Sequence, residues 1–344
     1  MRILLTADPF IPVPPTQYGG IERVIHMLID GYVDAGHEVH LLAHPDSHHE
    51  KLSSLHAWPE SDTQRGRQTL RSALRLRAVT HQIQPDIVHS FSRLQTLMGI
   101  RWSRHRPRIL QCYQREISPR TTGTFAKLFP ASRLQFSACG AHMLNPAWPH
   151  RNRWHAVHNC TDTNQLQWRE NATSGHFVFL GRIEPIKGIE EAIALAKQTR
   201  TPLHIAGNVE PAFEAFFQDR VKPHIDGETI RYLGPVNDEG KRKLFNGAKA
   251  FLMLIQWEEP FGIVMAEALA CGVPILALNR GSVPEIVIDG KNGFRADTLT
   301  ELIEKSKGLD AVEPTDCRKD AEDRFSVRVI SQAYLHLFNT AFTP

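Results

Sequence analysis

The stretch Glu258-Glu259-Pro260-Phe261-Gly262-Ile263-Val264-Met265-Ala266-Glu267-Ala268-Leu269-Ala270-Cys271-Gly272-Val273-Pro274 places three carboxylates, Glu258, Glu259 and Glu267, in an otherwise apolar segment. Glu259 falls on the loop after a strand expected over 249–255, where it can meet the hydroxyls of a sugar. Phe261, Gly262 and Ile263 open a helix expected over 263–271, and the first N–H groups of a helix lack intrahelical partners. Glu267 sits a turn or more into that helix among Ile, Val, Ala and Leu. A carboxylate there is expensive unless hydrogen-bonded, and the vicinal hydroxyls of a ribose are suitable donors. The bland alternative is an acid favoured by the helix dipole.

Upstream, Phe179-Leu180-Gly181-Arg182-Ile183-Glu184-Pro185-Ile186-Lys187-Gly188 follows the strand expected over 176–181. Arg182 leaves the strand end and Lys187 precedes the next helix. Two cations beside a helix N-terminus suit a diphosphate. Near the start, Asp8 leads into a proline-stiffened loop ending in Gly19-Gly20, whose missing side chains let backbone approach a ligand. A ligand-free Gly-rich turn stays open as the alternative. The segment 45–62 carries His48-His49-Glu50; it reads as a solvated loop, although three such residues could bind a metal.

These residues need strands to present them. Short β-type runs alternate with helical stretches, which argues for parallel βαβ units. Strands are expected over 3–7, 38–43, 86–89, 108–113, 134–138 and 154–159, with helices over 21–35, 68–82 and 94–104. A second set has strands over 176–181, 203–206, 229–233, 249–255 and 275–278. Its helices are expected over 189–199, 211–221, 238–248 and 263–271. A last helix is expected over 327–342. The reading is α/β: two Rossmann-like parallel-sheet domains, 1–160 and 176–324, a linker over 161–175, and a C-terminal helical segment over 325–344 returning to the first domain. Open parallel sheets bind ligands beyond the carboxyl ends of their strands, so tandem domains suggest a cleft between them.

The chain has 344 residues, 42% hydrophobic and 22% charged, which excludes a mostly disordered chain. Residues 1–155 hold 19 Lys and Arg against 11 Asp and Glu, whereas the remainder holds 21 against 26. A basic first half suits an acidic acceptor, an anionic phospholipid surface or a solvated Arg-rich face. Nucleic acid ranks last, because no binding-module signature is present. No apolar run approaches the ~20 residues of a membrane span. The five cysteines, an odd count without a CxxC pair, read as free thiols in a reducing compartment. A cytoplasmic chain is expected, peripheral at the inner membrane face if the basic half meets lipid. A dinucleotide oxidoreductase would need G-x-G-x-x-G after a strand, and neither domain has it.

The string from Glu259 to Glu267, with Gly181-Arg182 and Lys187-Gly188, resembles the retaining GT-B glycosyltransferases of family 4. So do Gly19-Gly20, Pro85-Asp86-Ile87-Val88-His89 and His158-Asn159-Cys160-Thr161-Asp162. The overall look is closest to small bacterial enzymes of surface polysaccharides or oligosaccharide natural products. The resemblance implies that the second domain binds a nucleoside-diphosphate sugar, UDP-linked before GDP-linked. Arg182 and Lys187 would hold the diphosphate and Glu267 the ribose. Glu259, with the backbone of Phe261, Gly262 and Ile263, would hold the donor sugar. Gly19 and Gly20 would approach the diphosphate across the cleft, and the first domain would take a saccharide, lipid-linked or small-molecule acceptor.

It further implies transfer with retention and without a metal or other cofactor, in agreement with the lack of an Asp-x-Asp triplet. Two departures stand out. The usual Asn-Gly-Val-Asp is Asn159-Cys160-Thr161-Asp162. The histidine often found after the fifth strand is missing, its place taken by Tyr113-Gln114-Arg115-Glu116. Gln114 and Arg115 are therefore the expected catalytic replacements beside Glu259, with an Arg115–Glu116 surface pair as the bland alternative. The missing histidine also supports a second reading, a non-catalytic relative that binds a nucleotide sugar or a partner.

Overall fold

A computed structural model describes residues 1–16, 19–59, 65–101, 103–166 and 175–342. It divides into two compact units. One comprises Met1–Cys160 with the chain from Val327 onward, and the other Thr161–Ser326.

The first unit holds strands β1 (Arg2–Thr6), β2 (Glu38–Ala43), β3 (Ser54–Ala57), β4 (Ile87–Ser90), β5 (Arg108–Tyr113), β6 (Leu134–Ala138) and β7 (Trp154–Ala156). They pair in the order β3-β2-β1-β4-β5-β6-β7, all parallel. Runs such as Ile3-Leu4-Leu5 are wholly buried, as strands covered on both faces must be. The order reverses between β1 and β4, the place where such sheets open a ligand crevice. The helix Val327–Thr340 lies against the helix Gly20–Asp34, and Gly31 permits this, since a Cβ there would come within 2.6 Å of Ser331. Tyr334 and Phe338 bring their rings to 4.5 and 5.3 Å from the ring of His89.

The second unit holds β8 (His176–Leu180), β9 (Leu203–Ala206), β10 (Ile230–Tyr232), β11 (Ala248–Met253), β12 (Ile275–Leu278) and β13 (Gly293–Ala296). The parallel order is β10-β9-β8-β11-β12-β13, with its reversal between β8 and β11. Its core joins Phe177, Phe179, Ile205 and Leu252 to the buried face of the helix Ile189–Thr199.

Several local expectations change. Residues 54–57, expected within a loop, form β3, held partly by polar contacts: His40 Nδ1 lies 2.7 Å from Ser54 Oγ, and Ser54 Oγ 2.8 Å from His56 Nε2. β13 is an edge strand begun by Gly293, too short for an alternation to show. The helices Pro119–Leu128, Leu299–Ser306 and Pro314–Phe325 are additional. Residues 211–221 form a succession of short 3-10, α and π turns instead of one helix, and the stretch expected over 94–104 is a 3-10 helix ending at Ile100.

Residues 161–166 are not a linker but part of the second unit. The Thr161 N–H donates to the Phe325 carbonyl at 2.8 Å, and Arg318 donates to the carbonyls of Thr163 and Leu166 at 2.7 and 2.8 Å. Residues 167–174 lie outside the described residues. No helix among the described residues is long and apolar enough to cross a membrane.

Candidate functional site

In the second unit the charged residues gather where the sheet reverses. β8 ends at Leu180, and the chain runs through Arg182 into a 3-10 turn, Pro185–Lys187. Gly188 follows with φ of 75°, and a Cβ there would lie 1.8 Å from the Leu254 carbonyl oxygen beyond β11. Only glycine allows the two strand exits to cross so closely. The Gln256 N–H then donates to the Ile186 carbonyl at 2.8 Å, tying the exits together.

The result is contact between two of the expected residues: Lys187 Nζ donates to Glu259 Oε2 at 2.7 Å. Trp257 Nε1 donates to the same oxygen at 3.0 Å, and the Lys187 ammonium stands 4.9 Å from the centre of the Trp257 ring. Both charged side chains are mostly buried, so the pair is less screened than a surface one. An ammonium has three donors. Lys187 can therefore keep Glu259 and still reach an anionic oxygen.

Arg182 is placed differently. Its guanidinium meets Glu184 at 2.8 Å and Glu210 at 3.4 Å, beside a close crossing where a Cβ on Gly207 would lie 1.8 Å from the Gly181 carbonyl. Glu267 accepts from Lys241 Nζ at 2.6 Å, with Lys241 supplied by the helix Asp238–Phe245. The cost of burying Glu267 is thus offset by a cation of this chain that the sequence reading did not single out. Phe261 is buried with its ring edge-on to Phe325 at 5.7 Å, and its carbonyl accepts from Ser282 Oγ at 2.6 Å. Gly262, with φ of 70°, precedes the helix Ile263–Ala270, which has no capping side chain. Glu258 accepts from the Gly281 N–H at 2.6 Å, so it supports the loop.

In the first unit, Arg115 does not pair with Glu116. It pairs with Asp8, Nη2 to Oδ2 at 3.3 Å, across the exits of β5 and β1. Gln114 and Asn159 exchange both amide bonds, 2.8 and 2.7 Å, so the amide of Gln114 is engaged and Arg115 holds the spare donors of this loop. Gly19 is extended and caps the helix beginning at Gly20; a Cβ on Gly19 would meet Pro15 at 2.6 Å and Glu22 Oε2 at 3.0 Å. The chain itself therefore fills the space that Gly19 leaves open.

Asp8 and Glu22 were not expected as site residues. Burial raises the pKa of each above its ordinary value; Arg115 opposes this at Asp8, and the charge of Asp8 adds to it at Glu22. Asp8 could have been found from its position just past the first strand. Glu22 offered no such signal. His89 proves to be structural: it is buried between Tyr32 Oη at 3.0 Å and Cys112 Sγ at 2.9 Å, and desolvation takes its pKa down to about 3. Cys160, where glycine is usual, is fully buried and has no positive φ, so no strain marks the exchange.

Residues 161–307 match the family described as glycosyl transferases group 1, and residues 18–165 match Glycosyltransferase Family 4. With two parallel-sheet Rossmann-like units, this defines a GT-B glycosyltransferase, an enzyme of the transferase class. The chain is similar to a glycogen synthase of Mycobacterium tuberculosis, 23% identical over 361 aligned positions that cover 85% of this chain and 81% of that one. It is also similar to O-antigen chain mannosyltransferase B of Escherichia coli, 31% identical over 142 positions covering 38% and 35%. Among solved structures, AviGT4, a glycosyltransferase involved in avilamycin A biosynthesis, superposes with a TM-score of 0.75 at 21% identity, covering 99% and 98% of the two chains. Anabaena HepE in complex with UDP and glucose gives 0.75 at 17%, covering 99% and 100%. The chain belongs to glycosyltransferase family 4.

Proposed function

We propose that this chain moves a hexose-type sugar from a nucleoside-diphosphate sugar to a saccharide, lipid-linked or small-molecule acceptor. Retention of anomeric configuration and independence from a catalytic metal belong to the same reading. The observation that carries it is the Lys187–Glu259 pair, braced by Trp257 at the reversal of the second sheet. In this reading Lys187 and Arg182 neutralise the diphosphate as it leaves, a stabilisation that grows with the charge of the transition state. Glu259 orients the donor sugar with the backbone of Phe261, Gly262 and Ile263, and Glu267 takes the ribose hydroxyls. In the first unit, Gly19 and Gly20 border the donor, and Arg115 with Asp8 serves the place of the absent histidine. A guanidinium serves as a hydrogen-bond donor and not as a base. The leaving diphosphate is then left to take the acceptor proton, as a front-face retaining transfer requires.

UDP-sugars come first as donors and GDP-sugars next. The UDP and glucose bound by the Anabaena neighbour support that order. The exposed Arg67, Arg71 and Arg77 on the helix Arg65–Ile83 support peripheral contact with an anionic membrane, on the cytoplasmic side. The test is donor turnover. Purified chain with UDP-, GDP- and ADP-sugars and a cell-extract acceptor should release one nucleoside diphosphate and form an α-linked product from an α-linked donor. Activity should persist in EDTA. Failure of every donor, or loss in EDTA reversed by Mg²⁺ or Mn²⁺, overturns the proposal.

A further inference from the structure

The helix Gly20–Asp34 and the segment after β2 bring three ligand-type side chains together. His26 and Asp30 stand four apart and share a helix face. His49 approaches from the segment. One ligand atom of each lies within 4.8 Å of the other two. The His26 and His49 rings are 4.4 Å apart between centres, tilted by 53°. Two ring nitrogens, His26 Nδ1 and His49 Nε2, are buried and without a hydrogen-bond partner, and the His49 side chain is only 3% exposed. Buried imidazole nitrogens are ordinarily satisfied, so two orphans beside a carboxylate call for an occupant. Asp30 Oδ2 lies 3.6 Å from His49 Nε2, too far for a hydrogen bond.

We propose that His26, Asp30 and His49 bind one divalent ion of the zinc type, with water completing the shell, as a structural site. Two imidazoles and one carboxylate form a borderline donor set that favours Zn²⁺ over Mg²⁺ or Ca²⁺. Ligand bonds of about 2.0–2.2 Å put tetrahedral donors ~3.3 Å apart, so donors now within 4.8 Å of one another must draw in by up to ~1.5 Å, a change within reach of side-chain rotation. Lys51 now holds Asp30 Oδ1 at 2.9 Å but also Asp34 at 3.0 Å, and it can remain on Asp34. Ligation through His49 Nε2 leaves the ring proton on Nδ1, so the Lys51 N–H contact to Nδ1, 3.2 Å, opens.

The ion would tie the segment to the helix. That segment also grips the proline loop: Ser47 Oγ accepts from the Val13 N–H at 2.9 Å, and the His48 N–H donates to the Val13 carbonyl at 2.8 Å. The site would thus stiffen the approach to Gly19 without taking part in transfer.

The experiment titrates ZnCl₂ into EDTA-stripped, dialysed full-length chain, followed by calorimetry, melting temperature and histidine ¹H–¹⁵N correlation spectra. One equivalent should bind with Kd on the order of micromolar or tighter. At a hundredfold excess over Kd the melting temperature should rise by roughly 5 °C or more. The His26 and His49 ring resonances should move, with the His49 proton found on Nδ1. The double variant His26→Gln, His49→Gln should lose at least a hundredfold in affinity and Asp30→Asn about tenfold. No stoichiometric binding by the stripped wild type overturns the site. So does binding of equal strength in the double variant, since the ion would then sit on other histidines. The spectra decide the matter in the wild type should the double variant fail to fold.

Discussion

The carboxyl edges of the two sheets solve opposite electrostatic problems. In the second unit three acids near the reversal each have a cation: Glu259 has Lys187, Glu267 has Lys241, and Glu184 has Arg182. The groups are buried and close to neutral in sum, set in place by glycines that let strand exits cross. In the first unit Asp8 and Glu22 are acids crowded into a desolvated spot, and the cations that act on Asp8, Arg115 and Arg93, are exposed. A region of paired charges is already organised for a ligand with fixed charge, such as a diphosphate. A region of underpaired acids is held at some cost in stability, the usual mark of a site that meets a neutral or changing partner.

The largest effect expected from breaking this contrast lies in the backbone of the second unit. Gly188→Ala puts a Cβ into the Leu254 carbonyl at a positive φ, and should destabilise that unit by about 3 kcal/mol or more. Thermal melting in the presence and absence of UDP measures it; an unchanged melting temperature would mean that the two exits do not cross there.

Next comes the pair itself. Lys187→Ala should weaken UDP by about 1.5–3 kcal/mol, the range for charge-assisted bonds, and uridine much less. Calorimetric titration of both ligands is the check. Equal losses would remove the diphosphate role and with it one half of the comparison.

The first unit should respond in turnover instead of affinity. Arg115→Ala is expected to lower kcat about tenfold, equal to roughly 1.4 kcal/mol, with donor affinity nearly intact. Steady-state kinetics at saturating donor separates the two, and an unaltered kcat would place Arg115 outside the site.

The smallest effect sharpens the contrast by its sign. Glu22 has a raised pKa in the folded chain, so folding binds its proton more tightly than the unfolded chain does. As pH rises above the unfolded value near 4.5, the folded state loses stability relative to the unfolded one, until the folded pKa is passed. Glu22→Gln should therefore stabilise the first unit at pH 7 by about 0.5–1 kcal/mol, and the gain should vanish on acidification below pH 4.5. A destabilised variant at pH 7 would show that Glu22 is paired after all.

Much of this was readable along the chain. Buried parallel strands write themselves as short apolar runs, and both sheets were expected from them. The run from Glu259 to Glu267 carries its groups on one loop and one helix, so local spacing alone was enough to pick out Glu259, Gly262 and Glu267. The short edge strands β3 and β13 escaped because a half-exposed strand of four residues leaves too little pattern.

What local order determined about this protein is the α/β alternation, the family strings and the types of group at each strand exit. Which of those groups meet was decided only by the fold. Lys187 and Glu259 are 72 positions apart, Arg115 and Asp8 107, and Glu267 and Lys241 26. Pairing at such separations depends on strand order and on the reversal between neighbouring strands. Those in turn follow from how the whole sheet buries its two faces, a property of no single segment.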